Sequence, residues 1–143
     1  MNREPLRSEA PARVLALMVA ANGRFDPKEL NTLVELDAFG RLGVPRERFE
    51  MLVDDCLKTV GHHLADYWWL RAPDQIYIDR LLDAVSDPKE RLLLCRLAAA
   101  VITADGRVSS DERLVYEHAL TRWHVSDAMV AQAIREDALH HQL

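Results

Sequence analysis

The sequence predicts an all-α fold of about seven helices, and three observations carry that reading. Apolar residues recur three and four positions apart along most of the chain, the spacing that lines one face of a helix. The letters Asp-Pro-Lys-Glu occur twice, at Asp26–Glu29 and Asp87–Glu90, as capping boxes with Asp at the N-cap, Pro at N1 and Glu at N3. Few stretches alternate apolar and polar residues as a half-buried strand would. With 143 residues, 49% of them apolar and 29% charged, the chain has the size and composition of a single domain, taken as 1–143.

Ser8 caps a first helix with Pro11 in its opening turn, where a missing N–H costs nothing. Val14, Leu17, Met18 and Ala21 form its apolar face, and Asn22-Gly23 ends it. The second helix starts at the Asp26 box, carries Leu30, Leu33, Val34 and Leu36, and runs to about Arg41, closed by Gly40 and Gly43. Pro45 opens the third, where Phe49, Leu52, Val53, Cys56, Leu57 and Val60 make the cleanest amphipathic stripe in the protein. Residues 61–75 hold a turn or two of helix before Pro73 stops it, and Ile76 to Val85 form a short fourth helix with Ile78, Leu81, Leu82 and Val85 on one side. The fifth begins at the Asp87 box. From Leu92 to Ile102 it is apolar everywhere except Arg96, the pattern of a helix surrounded by others. A sixth runs from Ser109 to about His124 with Val115, Ala119, Leu120 and Trp123 facing in, and Ser126-Asp127 caps a seventh carrying Val130, Ala133 and Ile134.

The bulk properties exclude several classes of function. A net charge of −5 with arginines scattered among acids is not the clustered basic surface that nucleic acid requires. Val14 to Ala21 is too short to span a membrane, and no signal peptide is visible, so the expected location is the cytoplasm without membrane insertion. Cys56 and Cys95 fall among apolar residues and are expected to be buried reduced thiols. There is no Gly-rich phosphate loop, no Gly-x-Ser-x-Gly elbow and no Cys-His pair with an orienting acid, so no catalytic residue is assigned and no enzyme is expected.

The chain repeats itself. A shift of 83 residues lays Leu17–Glu29 over Ala100–Glu112, with Gly on Gly, Arg24 on Arg107 and Glu29 on Glu112. A shift of 81 continues the match, with Val44-Pro45 over Val125-Ser126 and Phe49 over Val130. Helices one to three and five to seven read as two copies of a three-helix unit packed about a pseudo-two-fold axis. Repeat one covers about 8–60, a connecting segment about 61–86, and repeat two about 87–140.

Two turns define this duplication, Ala21-Asn22-Gly23-Arg24-Phe25-Asp26-Pro27-Lys28-Glu29 and Ala104-Asp105-Gly106-Arg107-Val108-Ser109-Ser110-Asp111-Glu112. With seven helices around them, these turns make roughly Ala12 to Ala138 resemble the TerB-like family, which includes tellurite-resistance proteins and the N-terminal domains of some membrane-linked DnaJ-type co-chaperones. The resemblance implies an all-helical binding domain in a bacterial stress or membrane-associated setting. It also implies a divalent-cation site built from acidic residues at those turns. By position these are Asp105 and Glu112, with Glu29 in the first copy and Asn22 where the family usually has Asp.

Chemistry alone leaves two readings of these residues open. The run Asp-Gly-x-Val-x-x-x-Glu matches the second half of an EF-hand loop, but Val101 and Thr103 stand where the leading carboxylates belong. A calcium-type site would have to be pooled from both turns: Asp105, Glu112, Asn22 and Glu29, with Asp26 or Asp111. In the competing reading, Ser109 with Glu112 and Asp26 with Glu29 are capping boxes, and only Asp105, at the wrong end of a helix dipole for a carboxylate, is unexplained. His62, His63 and Asp66 lack a third partner at ligand spacing and read as solvated residues. Tyr67, Trp68 and Trp69 are either a core plug or a patch for an unidentified protein partner or a second copy of the chain.

Overall fold

Arg13 is half-buried in the first helix, and every other residue of that helix is buried, from Ala10 to Ala20. In this computed structural model, which describes residues 9–20, 25–61, 72–104 and 110–142, the described residues form eight helices and no strand. They are α1 (Ala10–Ala20), α2 (Pro27–Glu35), α3 (Ala38–Leu42), α4 (Arg46–Gly61), α5 (Ala72–Asp83), α6 (Pro88–Ile102), α7 (Ser110–Trp123) and α8 (Asp127–Gln142). The fold is all-α, as expected.

Two helices make the centre. The sequence pattern gave α6 that role, and Leu94, Cys95, Leu97, Ala98 and Val101 are indeed buried at 1% exposure or less. The pattern gave α1 only one apolar face, and the structure corrects this: Leu15, Ala16 and Val19 are as deeply buried as Val14, Leu17 and Met18. The alanines at 12, 16 and 20 are what let neighbours close on the remaining sides. The two helices pack on each other. Helix α4 lies against α1, α8 lies against α6, α7 touches both central helices, and α2 packs on α6. Helix α5 bridges α1 and α7.

Two boundaries and one burial differ from the sequence reading. The expected second helix breaks at Leu36-Asp37, because Asp37 adopts a left-handed conformation (φ 53°, ψ 40°), and restarts as α3. The position is telling. The sequence match between the two turns and corners changes its shift from 83 to 81 between Glu29 and Val44, and the break lies within that interval. Gly40 belongs to that break: a Cβ there would lie 2.6 Å from the Asp37 Oδ1. Pro73 does not stop a helix. It sits in the first turn of α5, where its fixed φ is favourable. Ile134, read as one of the apolar residues of the last helix, is 40% exposed.

The corners at the end of α3 and α7 share one geometry, 81 residues apart. Gly43 (φ 70°) and His124 (φ 57°) are both left-handed. The Val44 N–H donates to the Phe39 carbonyl at 3.1 Å and the Val125 N–H to the Leu120 carbonyl at 2.9 Å. Gly43 N–H to Gly40 O and His124 N–H to Thr121 O complete each corner at 3.3 Å. These are paired Schellman terminators. Beyond them the Phe49 N–H bonds the Pro45 carbonyl, and the Ser126 hydroxyl oxygen accepts from the Met129 N–H, starting α4 and α8.

Candidate functional site

The turn before α2 supplies the described part of the candidate cation site. The Glu29 N–H donates to Asp26 Oδ1 at 3.0 Å, and the Asp26 N–H donates to Glu29 Oε1 at 3.0 Å, so the capping box is formed in both directions. Glu29 is only 6% exposed, one of two buried charged residues in the described core. The structure therefore brings Asp26 and Glu29 together through helix initiation. At the second Asp-Pro-Lys-Glu, Asp87 caps α6 through the Lys89 N–H at 2.9 Å. Asp111 and Glu112 fall in the first turn of α7, with side chains outside the described set, and Asn22 and Asp105 lie outside the described residues. So do Arg24, Arg107, His62, His63, Tyr67, Trp68 and Trp69. Among the described residues no three His, Cys, Asp or Glu side chains are grouped to hold a metal ion.

Beside the capping box lies a groove of about 280 Å³ between the start of α2 and the middle of α4. Phe25, Leu30, Val53 and Leu57 give it an apolar floor, and Asp26, Glu50 and Asp54 edge it with carboxylates. Phe25 is held edge-on to the buried Phe49, with ring centroids 6.1 Å apart, and this fixes one wall. A second, more open concavity of about 710 Å³ sits at the α7–α8 corner, lined in part by Tyr116, Thr121, His124 and Ser126. Burial pushes the Tyr116 hydroxyl up to about 12.

Among the described residues three ion-pair clusters tie helices together, and sequence reading located none of them. Arg48 on α4 donates Nη2 to Glu9 at 2.9 Å just ahead of α1, while Arg13 reaches the same carboxylate at 3.3 Å. The Arg48 hydrogen bond is the main reason that Glu9 titrates below the ordinary carboxylate range. On the other side, Arg96 Nε of α6 meets Asp137 Oδ2 of α8 at 2.8 Å, and Arg41 of α3 bonds both oxygens of Asp137 at 3.2 and 3.3 Å. Burial raises the Asp137 pKa, but hydrogen bonds from Arg96 and Arg41 outweigh it and leave the carboxyl below its usual value. The third cluster joins α5 to α7: Arg122 forks onto Asp83 at 2.8 and 2.9 Å, and His118 Nε2 lies 2.7 Å from Asp79 Oδ1. Arg96 carried a signal, as the one charged residue in the apolar run 92–102. Its partner carried none, since contacts 41 residues apart leave no local pattern.

Cys56 and Cys95 are free, and burial pushes both thiols up to about 12, so neither is a thiolate nucleophile near neutrality. Among the described residues no helix is long and apolar enough to cross a membrane. Comparison of the chain with protein-family models, with curated proteins and with solved structures returned no match.

Proposed function

We propose that the chain is a TerB-like helical binding domain, made of two copies of a three-helix unit, which acts by holding a ligand or partner and not by catalysis. The observation that carries the reading is the correspondence between halves. Exchanging α1 with α6, α2 with α7 and α4 with α8 turns the α1–α4 packing into α6–α8, and α2 against α6 into α7 against α1. The matched terminators at Gly43 and His124 support the same exchange. The tellurite and stress setting, and the cytoplasmic location, rest on the resemblance and on the sequence.

In this reading a calcium-type cation bridges the two turns, drawing on Asp26 and Glu29 from one and on Asp105, Asp111 and Glu112 from the other, with Asn22 as a neutral oxygen donor. Hard cations take six to eight oxygens, so neither turn suffices alone. Thermal melts in EDTA, calcium, magnesium and manganese test it. A cation at a hundred times its Kd adds about 2.7 kcal/mol, a rise of several degrees that Asp105→Ala abolishes. A midpoint indifferent to all three ions defeats the cation and leaves the second reading.

That second reading is a metal-free interaction scaffold or homodimer that presents Tyr67, Trp68 and Trp69. It is favoured by the capping box, which already engages one oxygen of Asp26 and one of Glu29. Light scattering of the wild type and of Trp69→Ala tests self-association: a dimer that the substitution dissolves supports it, and a monomer in both removes the homodimer.

A further inference from the structure

We infer that the groove between α2 and α4 is a docking site for a basic amphipathic protein segment, one with apolar anchors at helical spacing and Lys or Arg around them. The inference rests on the reading of the chain as a binding domain and names the chemistry of its partner. Helix α2 carries more apolar surface than α6 covers. Leu33 is buried, whereas Leu30 is half-buried and Val34, four residues further on along α2, is 46% exposed. From α4, Val53 and Leu57 face the same space, four residues apart. A volume of about 280 Å³ accepts one or two large aliphatic side chains and no drug-sized ligand. This is the geometry of helix-in-groove recognition, in which anchors at i, i+3 or i+4 enter an apolar cleft.

Charge selects the sign of the partner. Asp26, Glu50 and Asp54 edge the groove, and the cations near them are outlying: Arg46 and Lys58 reach Glu50 and Asp54 at 3.4 and 3.2 Å from positions more than half exposed. Such surface pairs are weak and readily exchanged for a partner's cations. The second half of the chain supplies an internal contrast. Eighty-one residues on, Ala131 and Arg135 replace Glu50 and Asp54, and 83 residues on, Arg113 replaces Leu30. The carboxylates of Glu50 and Asp54 and the apolar Leu30 therefore have no counterpart in the second half of the sequence. An anionic membrane surface is disfavoured by the same edge.

The test uses the full chain and two labelled 14-residue peptides, each with leucines at i, i+3, i+4 and i+7. One carries lysine at the other positions and one carries glutamate. Fluorescence anisotropy gives affinity, and amide chemical-shift changes give the location, with EDTA and with calcium. The lysine peptide is expected to bind at least roughly tenfold more tightly than the glutamate peptide, to weaken with salt, and to shift residues of 25–34 and 50–57. Glu50→Lys with Asp54→Lys lowers its affinity by roughly tenfold or more. The milder Glu50→Gln with Asp54→Asn lowers it less while sparing the fold, and Arg135→Glu leaves it unchanged. Absence of binding, equal affinity for both peptides, indifference to the charge reversal, or shifts confined to α7 and α8 overturns the inference. The melts of the previous section are independent of this result, so a groove that fails beside a calcium-raised midpoint leaves the binding domain standing.

Discussion

Helix α4 packs on α1 and helix α8 on α6, yet the two are held by different physics. On α4 the inward positions are Phe49, Leu52, Val53 and Cys56, the first three no more than 4% exposed. Eighty-one residues on, the same positions of α8 read Val130, Ala133, Ile134 and Asp137. Each step reduces, exposes or replaces apolar surface: Ile134 is 40% exposed where Val53 is 4%. What α8 lacks in burial it recovers through Asp137, clamped by Arg96 of α6 and Arg41 of α3. The bundle thus uses an apolar seam under α4 and an ionic seam under α8, where the carboxylate is paired. The apolar seam also leaves a greasy edge at Val53 and Leu57, which becomes the floor of the groove.

The contrast can be broken at several points. Phe49→Ala should cost about 4 kcal/mol, the range for emptying a buried aromatic site, against about 2 kcal/mol for Val130→Ala, both measured by urea denaturation. Asp137→Ala should cost about 3 kcal/mol, because Arg96, at 8% exposure, loses the partner of a buried charge. Arg122→Ala, whose fork onto Asp83 is hydrated, should scarcely move the thermal midpoint.

Acid gives a smaller, graded effect. Asp137, Glu9 and Asp83 all titrate below the ordinary carboxylate range when folded, so they bind fewer protons than the unfolded chain does. Their stabilisation is complete above the unfolded values near pH 4 and is lost as pH falls through the folded ones. Melting points should be flat from about pH 7 to 5 and fall below about pH 4, and the fall should be shallower in Asp137→Asn. The paired corners give a modest effect. A Cβ on Gly43 meets nothing within 4 Å, so Gly43→Ala isolates the cost of a left-handed residue, about 1 kcal/mol. His124→Gly, measured the same way, should stabilise by a few tenths of a kcal/mol up to about 1.

Much of this architecture was legible in the sequence because it is local. Caps such as Asp26 with Glu29, and inward stripes such as Val115, Ala119, Leu120 and Trp123, are written within a few residues of where they act. The burial of α1 on nearly every side was harder to read. Nothing in Ala12, Ala16 and Ala20 says that other helices approach there, since alanine suits either environment. The break at Asp37 was missed, and the helix was read through to about Arg41, because a left-handed aspartate has no sequence signature of its own. The ion-pair seam was invisible, because Arg41, Arg96 and Asp137 meet from three helices. The groove was partly visible: Leu30, Val34, Val53 and Leu57 were read as apolar stripes facing a core, and the structure leaves part of those stripes uncovered.

Native-state amide exchange in Glu9→Ala and Asp137→Ala tests most directly the claim that α4 is held by burial and α8 by charge. Each substitution removes the carboxylate that an arginine grips. The account predicts that Asp137→Ala lowers protection across α8 by roughly a hundredfold, as loss of a buried charge partner implies, while α4 keeps its protection. Glu9→Ala should change α4 by less than about fivefold, because Phe49, Leu52 and Val53 still hold it. Equal losses in the two helices, or an α8 indifferent to Asp137→Ala, would contradict the account.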